Sequence, residues 1–301
     1  MPEEFFSGRR EARGVTLSPM PRLPHAAVFA VVVCLTACTG ANGATPNPTA
    51  PTSVDSSGAA GATTNLAEGG AGAAGGAAPH IDYNLWELQL PIGPSNAPTT
   101  ISASQLLAGF SDEYFYPAAD GGQIFMDPET GSTTSGSQHC RSEMRELALD
   151  GSAAAWSSSG SHTLTVSGRV LQLGGGASGL VTVGQLFDGT DSLPLLELQY
   201  SSKTAGFQLL YEEAKGAGST TDLATPVALN TRYRFALSLT EGTARVTIND
   251  QTVFTKVPSA ALQAKNFYFK FGAYDQTSAA GSPSSTPYTV VETDSAEVVH
   301  R

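Results

Sequence analysis

Residues 232–257, RYRFALSLTEGTARVTINDQTVFTKV, decide the fold. Apolar and polar side chains alternate along three runs, which is the period-2 pattern of half-buried β-strands. The dipeptides Glu-Gly at 241–242 and Asn-Asp at 249–250 separate these runs. Such two-residue loops are typical of tight turns between antiparallel strands. The stretch therefore predicts two successive β-hairpins.

The same pattern extends over the rest of the chain from about residue 80 to 301, in runs such as LWELQLP, HTLTVSGRVLQL and NFYFKFGAYDQ. Gly, Ser, Asn, Asp and Pro separate the runs, and no long segment has helical periodicity. We therefore expect an all-β domain, an antiparallel β-sandwich or β-jelly roll. Two short helices are predicted, near 101–110 with Thr100 as N-cap and near 258–265.

The first 79 residues have a different composition. Residues 1–38 contain an apolar run, 26–35, followed by Leu-Thr-Ala-Cys, which resembles a bacterial lipobox ending at Cys38. Residues 39–79 are nearly all small or polar, which is typical of a flexible tether. We therefore expect a secreted protein held at the cell surface, as an outer-membrane lipoprotein, through acylated Cys38. The alternative is a plain secretory signal cleaved nearby.

The charge of the predicted domain, residues 80–301, restricts its partners. It carries 12 Lys and Arg against 22 Asp and Glu. An acidic surface argues against nucleic-acid binding, which relies on basic patches. Cys140 is the single cysteine of this domain, so neither a disulfide framework nor a thiolate metal cluster is available. We expect Cys140 to be a small buried residue in a monomeric domain.

The run QHCRSEMREL, residues 138–147, concentrates charge on one strand face. Alternation places His139, Arg141, Glu143 and Arg145 together. One interpretation is a solvated face with weak cross-strand ion pairs. The other is an anion clamp, because a guanidinium group binds a carboxylate through two parallel hydrogen bonds. Glu143 would then hold the two arginines in position.

Residues 266–276, NFYFKFGAYDQ, repeat this two-faced pattern. The phenylalanines are expected in the core, whereas Tyr268, Lys270, Gly272 and Tyr274 face the other way. A glycine on that polar face indicates a place where something approaches the backbone closely.

A third run, VTVGQLFDGT, residues 181–190, has a polar residue among apolar neighbours. Strict alternation predicts that Gln185 and Phe187 share a face with Val181 and Val183. Thr182, Gly184, Leu186 and Asp188 would then face away. Gln185 fits either a packed cross-strand pair or a binding site.

Together the three runs resemble the alginate lyase family, β-jelly-roll polysaccharide lyases of family 7. Its signatures are Arg-(Ser/Thr)-Glu-(Leu/Val/Met)-Arg, Gln-(Ile/Val)-His and Tyr-Phe-Lys-x-Gly-x-Tyr. The first and third stand intact at 141–145 and 268–274, whereas the second reads Gln-Leu-Phe at 185–187. The resemblance implies a jelly roll with a concave substrate-binding sheet that cleaves an anionic polysaccharide such as alginate or glucuronan.

The resemblance also implies β-elimination, in which a base removes the C5 proton of a uronate and an acid protonates the leaving O4. Arg141 and Gln185 would neutralise the substrate carboxylate, where negative charge grows. Tyr274 would protonate O4, and nearby cations are expected to lower its pKa so that it also acts as a base. This chemistry requires no metal or other cofactor.

The remaining motif residues would bind the polymer around the cleavage point. Arg145 and Lys270 would hold carboxylates at adjacent subsites, with Tyr268 on the same face, and Glu143 would orient the arginines. Phe187 replaces the family's histidine base. In mannuronate and β-1,4-linked glucuronate, H5 and O4 lie on one face, so a single tyrosine suffices. The substitution therefore favours syn elimination on these polymers and argues against guluronate.

Three alternatives stay open. His139 could substitute for the missing imidazole. The domain could instead be a carbohydrate-binding protein on a lyase scaffold, with Phe187 stacked on a sugar ring. A glycoside hydrolase would need two carboxylates across the cleft, for which Glu143 and Asp188 are the candidates.

Overall fold

A computed structural model of the protein describes residues 79–175 and 178–301. The predicted signal region 1–38, with Cys38, and nearly all of the predicted linker lie outside the described residues. No helix in the described part of the chain is long and apolar enough to cross a membrane.

Strands account for most of the described secondary structure. The strands are β1 His80–Ile81, β2 Trp86–Gln89, β3 Thr100–Ile101, β4 Phe115–Pro117, β5 Gln123–Pro128, β6 Ser142–Glu146, β7 Trp156–Ser157, β8 Ser161–Gln172, β9 Leu180–Asp188, β10 Leu193–Ser201, β11 Gly206–Tyr211, β12 Ser219–Pro226, β13 Tyr233–Thr240, β14 Thr243–Ile248, β15 Gln251–Lys256, β16 Asn266–Asp275 and β17 Tyr288–His300. The helices are a 3-10 turn at Tyr83–Leu85, α1 Ala103–Leu107 and α2 Ala260–Gln263.

These strands form two sheets. One has the order β15-β14-β13-β8-β17-β5-β4, with β1 added to β17, and the other has the order β12-β11-β10-β9-β16-β6-β2-β3, with β7 added to β16. Nearly all pairings are antiparallel, and β1 with β17 is a parallel exception. The expected antiparallel β-sandwich of the jelly-roll type is confirmed.

The two predicted hairpins are confirmed as β13–β14 and β14–β15. Both Glu241 and Gly242 have positive φ, as do Asn249 and Asp250. Two consecutive residues of this kind form a type I′ turn, whose twist matches that of the flanking strands.

The core lies between the sheets and is rich in aromatic rings. Phe267, Phe269 and Phe271 of β16 are fully buried there, as is Phe235 of the opposite sheet. Burying each ring contributes roughly 1.5–3 kcal/mol. Because successive strand residues point to opposite faces, this packing turns the alternate residues of β16 away from the core.

The two short helices form where they are expected, with one difference at α1. The N-cap is Ser102 rather than Thr100, and Ser102 forms a capping box with Gln105. Thr100 instead lies in β3, where it pairs with Gln89.

Strand β9 departs from the expected strict alternation. Leu198 of β10 pairs with Gly184, but the next residue, Gln199, pairs with Thr182. Val183 is therefore the extra residue of a β-bulge, which reverses the facing of every residue before it.

The bulge corrects the predicted faces of β9. Val181 and Val183 are buried in the core, and Thr182 lies on the face of Gln185. The prediction that the two valines share a face with Gln185 is wrong. The prediction for Phe187 and Leu186 agrees with the structure, since Leu186 is buried in the core and Phe187 lines the cleft described below.

Candidate active site

A cleft of about 440 Å³ lies on the face of the nine-stranded sheet that is turned away from the core. Side chains of several strands form its floor, and the loop 134–137 forms one wall. The lining residues are Gln89, Thr134, Ser135, Gly136, Ser137, Arg141, Arg145, Gln185, Phe187, Ser192, Pro194, Glu197, Tyr268, Lys270 and Tyr274. The cleft therefore collects residues from all three motif runs.

Strand register brings the central residues side by side. Arg145 of β6 pairs with Lys270 of β16, which pairs with Gln185 of β9, which pairs with Glu197 of β10. Directly opposed residues have their Cβ atoms about 4.5–5.5 Å apart. These four side chains thus form one row across the cleft floor.

Glu143 lies at the centre of the site and is 1% exposed. Its Oε2 is 3.1 Å from Arg141 Nη1 and 3.4 Å from Lys270 Nζ. Its Oε1 accepts a hydrogen bond from Gln185 Nε2. Both carboxylate oxygens are thus engaged, so Glu143 holds Arg141, Lys270 and Gln185 in position. Arg145 pairs with Glu87 instead, at 3.4 Å.

Arg141 and Gln185 retain polar atoms for a ligand. Arg141 Nε and Gln185 Oε1 are buried and have no hydrogen-bond partner among the described residues. The Arg141 guanidinium stacks 3.9 Å from the centre of the Tyr274 ring. An incompletely satisfied guanidinium beside a phenol is suited to a carboxylate ligand.

Tyr274 has its hydroxyl at the cleft, 2.9 Å from Ser137 Oγ. Burial raises the pKa of its phenol, and the Arg141 charge and the Ser137 hydrogen bond offset only part of this rise. The expectation that nearby cations lower this pKa overall is therefore wrong. Because burial outweighs them, Tyr274 is held as a proton donor.

Lys270 is the most perturbed cation of the site. Burial lowers its pKa to about 8, although the Glu143 carboxylate favours the charged form. Its Nζ lies 4.6 Å from the centre of the Phe187 ring. The lysine therefore loses its proton at a lower pH than an exposed lysine does.

Phe187 and Tyr268 form an aromatic patch at one end of the cleft. Their ring centres are 5.2 Å apart, and the Arg145 guanidinium lies 4.4 Å from the centre of the Tyr268 ring. Such a patch offers a sugar both an apolar surface and a fixed cation.

Three candidate residues, Glu143, His139 and Asp188, are not among the residues lining the cleft, and Glu143 lies beneath it among the side chains that it positions. His139 lies behind Tyr274, with its Nδ1 2.9 Å from Thr277 O and the ring centres 6.3 Å apart. Asp188 is buried and accepts hydrogen bonds from the backbone of Thr190 and Asp191. The structure therefore gives Asp188 no place in a glycosidase pair with Glu143.

Gly272 marks the place where another strand approaches the backbone of β16 closely. A Cβ at this position would lie 2.6 Å from Ser142 O and 3.0 Å from the Glu143 Cα. It would also lie 3.0 Å from Cδ1 of the core residue Phe125. The prediction that Gly272 shares the outer face with Tyr268, Lys270 and Tyr274 is therefore wrong: Gly272 faces β6 and the core, and it lets the two motif strands come together.

Sequence reasoning missed Glu197, Thr182 and Ser137. Glu197 was detectable, because in LLELQYSS it alternates with Leu198 and shares a face with Gln199. Thr182 was hidden by the bulge, and Ser137 lies in a loop without a periodic pattern. Cys140 is free and buried as predicted. No cluster of three or more potential metal ligands occurs within residues 79–175 and 178–301.

The fold and the cleft define a β-jelly-roll protein with a polar, partly cationic groove across one sheet. The model of the alginate lyase family matches residues 81–300. The chain belongs to this family, and that membership supports polysaccharide lyase activity.

Solved structures agree with this assignment. Alginate lyase A1-II′, a member of polysaccharide lyase family 7, is 27% identical with a TM-score of 0.64, over 73% of this chain and 96% of that one. An alginate lyase from Pseudomonas aeruginosa is 25% identical with a TM-score of 0.65, over 73% and 100%. One from Corynebacterium sp. is 25% identical with a TM-score of 0.64, over 75% and 100%. Variants of A1-II′ were solved with a product (GGG) and a substrate (GGMG). A comparison with curated protein sequences returned no match.

Proposed function

We propose that the protein cleaves a 1,4-linked polyuronate by syn β-elimination, acting on polymannuronate, alginate or β-glucuronan. The observation that carries this proposal is the buried, unpartnered Nε donor of Arg141, beside the Tyr274 phenol. The family membership of the chain supports it.

The reaction needs charge stabilisation at the substrate carboxylate. Removing the C5 proton makes this group dianionic and enolate-like, so fixed donors there lower the barrier. Arg141 supplies a permanent charge, and Gln185 Nε2, which donates one hydrogen bond to Glu143, has a second N–H for the substrate carboxylate. Glu143 keeps both in position before substrate arrives, so little reorganisation is needed during the reaction.

Tyr274 protonates the leaving O4. Its raised pKa keeps the phenol protonated in the free site, which suits an acid and disfavours a tyrosine that is both acid and base. Elimination still proceeds from one side, because Phe187 has no atom that accepts a proton at the position of the family's histidine.

The aromatic patch and its cations bind neighbouring sugars. Arg145 and Lys270 hold carboxylates of adjacent residues, while Phe187 and Tyr268 contact the apolar faces of the rings. Each uronate carries one negative charge, and Arg141 with Gln185 binds that of the sugar at the cleaved bond. Arg145 and Lys270 are therefore available for the carboxylates of neighbouring sugars.

The test is to incubate the purified domain with polymannuronate, polyguluronate, glucuronan and mixed alginate. We expect ultraviolet absorbance from an unsaturated uronate with polymannuronate, mixed alginate or glucuronan. Absorbance with polyguluronate alone would overturn the syn assignment. Tyr274→Phe is expected to abolish the signal, and full activity in this variant would refute the role of Tyr274.

A carbohydrate-binding protein without catalysis is the second candidate. The aromatic patch favours it, because the contact between Phe187 and Tyr268 offers a stacking surface for a sugar. Retention on an immobilised polyuronate, with no absorbance from any polymer, would support this reading. Hydrolysis without the chromophore would instead point to a glycosidase.

The localisation proposed from the sequence is the outer membrane, to which a lipid on Cys38 would anchor the protein. Digestion at the surface would then feed uptake of oligouronides. A Cys38→Ala variant expressed in a bacterium should move from the membrane fraction to the soluble fraction. Unchanged fractionation would contradict the anchor.

A further inference from the structure

Elimination requires a proton acceptor at C5, and several candidates in the site are unsuited to this role. Phe187 has no basic atom, and both oxygens of Glu143 are engaged by neighbouring residues. Tyr274 is held in its protonated form. Glu197 is the one acidic residue among the described residues that line the cleft.

We propose that Glu197 is the base that removes the C5 proton, replacing the histidine that this chain lacks. This inference rests on the proposed lyase function and adds the identity of the base to it. It makes Glu197 and Tyr274 a base–acid pair.

Contacts fix the orientation of the Glu197 carboxylate. The side chain is 6% exposed, and its Oε2 accepts hydrogen bonds from Thr182 Oγ1 at 3.1 Å and from Gln199 Nε2 at 2.9 Å. Gln199 is in turn held by Gln208, whose Nε2 lies 2.9 Å from Gln199 Oε1. Oε1 of Glu197 accepts no hydrogen bond from the described residues, which leaves it available to a substrate.

The position of Glu197 agrees with elimination from one side. Tyr274 pairs across the strands with Thr182, and the Thr182 hydroxyl bonds to Glu197. Both proton-transferring groups therefore adjoin Thr182. Phe187 lies further along β9, on the opposite side of Gln185. A base at Phe187 would act from the other end of the carboxylate clamp.

The surroundings also make Glu197 a better base than an exposed carboxylate. Burial raises the pKa of its carboxyl, and the hydrogen bonds from Gln199 and Thr182 offset part of this rise. A carboxylate of raised pKa binds a proton more strongly than an exposed one does, which suits general-base catalysis.

The proton and electron balance is closed within the site. Glu197 Oε1 takes the C5 proton, and the C5–H electron pair becomes the C4=C5 double bond. The C4–O4 bond breaks with its pair on O4, which receives the Tyr274 proton. The proton on Glu197 then returns to the Tyr274 phenolate through solvent, and both groups are restored.

The test compares Glu197→Gln with wild type on the polymer that wild type cleaves best. Glutamine keeps the shape and cannot accept the proton, so kcat should fall about 10²–10³-fold, as for loss of a general base, with KM changed less than threefold. The control is Glu297→Gln, which neutralises an exposed glutamate of β17 in the other sheet and should leave kcat unchanged. Circular dichroism checks that both variants fold.

A second variant separates catalysis from structure. In Glu197→Ala, added formate should restore part of the lost rate in proportion to its concentration, because it supplies the missing carboxylate. Formate should not rescue Tyr274→Phe. Thr182→Val keeps the base but removes one orienting bond, so a loss of about tenfold is expected.

Each outcome decides the inference. A Glu197→Gln enzyme within threefold of the wild-type kcat, or one that only binds polymer more tightly, would overturn the role of Glu197 while the lyase proposal stands. A large loss without formate rescue would reduce Glu197 to a positioning residue. No chromophore from wild type on any polymer would remove both proposals.

Discussion

Two charge clusters lie on different sheets of the same sandwich and differ in their balance. The outer cluster joins Arg169 and Arg232 to three carboxylates, Asp120, Glu292 and Asp294. Acids outnumber bases there, and the Arg232 and Asp120 side chains are 47% and 44% exposed.

The cleft cluster reverses this balance. Its ion pairs join three cations, Arg141, Arg145 and Lys270, to two carboxylates, those of Glu143 and Glu87. The Glu197 carboxylate also lines this cleft and forms no ion pair with the described residues. Arg141, Lys270 and Glu143 are almost completely buried. Burying charged groups costs desolvation free energy unless their hydrogen-bonding atoms find partners, and Arg141 Nε has none among the described residues. The two clusters indicate that a buried cluster with an unpartnered donor marks a binding site, whereas a more exposed cluster of paired charges marks a structural network.

The largest difference between the two clusters is expected in the elimination rate, when one arginine is removed from each. Arg141→Met should lower the elimination rate about 10³-fold, since a fixed cation at the growing charge is lost. Arg169→Met should change the rate less than twofold. Steady-state kinetics on the preferred polymer measures both, and equal effects would show that the burial of the cleft cluster carries no functional information.

Removing one carboxylate from each cluster should lower the free energy of unfolding by different amounts. Glu143→Gln leaves Arg141 and Lys270 buried without their carboxylate, so the free energy of unfolding should fall by about 3 kcal/mol. Asp120→Asn acts at an exposed site. Urea denaturation gives both values, and a smaller loss for Glu143→Gln than for Asp120→Asn would contradict the buried role of Glu143.

The two clusters should also differ in how substrate binding and stability depend on pH. Lys270 loses its proton above its pKa of about 8, so substrate binding should weaken by up to tenfold per pH unit beyond that value. The unfolded chain still binds this proton up to its ordinary pKa of about 10.4. Stability should therefore rise with pH through the same window.

These opposite trends in binding and stability are measured by KM and by denaturation between pH 7 and 10. Lys270→Met should flatten both curves within this range. The arginines of the outer cluster stay charged throughout, so Arg169→Met should leave both profiles as in wild type. A falling stability above pH 8 that Lys270→Met does not alter would contradict the assignment.

The smallest effect is expected from Asp120→Asn itself. Ion pairs at exposed positions contribute about 0.2–1 kcal/mol, and salt screens them. The loss in unfolding free energy should shrink between low salt and 0.5 M NaCl. A loss above about 2 kcal/mol that salt does not change would mean that the outer cluster is as tightly coupled as the cleft.

The parts of the structure predicted from sequence are those set by local chemistry. The turns at 241–242 and 249–250 need residues that tolerate positive φ, and the dipeptides Glu-Gly and Asn-Asp supply them. The alternation in 141–145 and 268–274 likewise places Arg141, Arg145, Tyr268, Lys270 and Tyr274 at one cleft, although the pairing of β16 with β9 is irregular between Phe271 and Tyr274.

What the sequence could not supply depends on pairing between distant strands. The bulge at Val183 appears only when β9 is aligned with β10, so the facing of Thr182 was predicted wrongly. The partner of Arg145 is Glu87, more than fifty residues away. The pKa of Tyr274 depends on how deeply the ring is buried, which alternation alone does not give.

Gly272 has a consequence for how the protein responds to heat. Because Gly272 has no Cβ to push Ser142 O away, β16 and β6 keep the spacing of two hydrogen-bonded backbones. This spacing sets how far Tyr274 lies from Arg141 and Glu143. Such a spacing does not loosen gradually as side chains gain motion. We expect activity to persist up to the melting of the sheet and to disappear in the same transition.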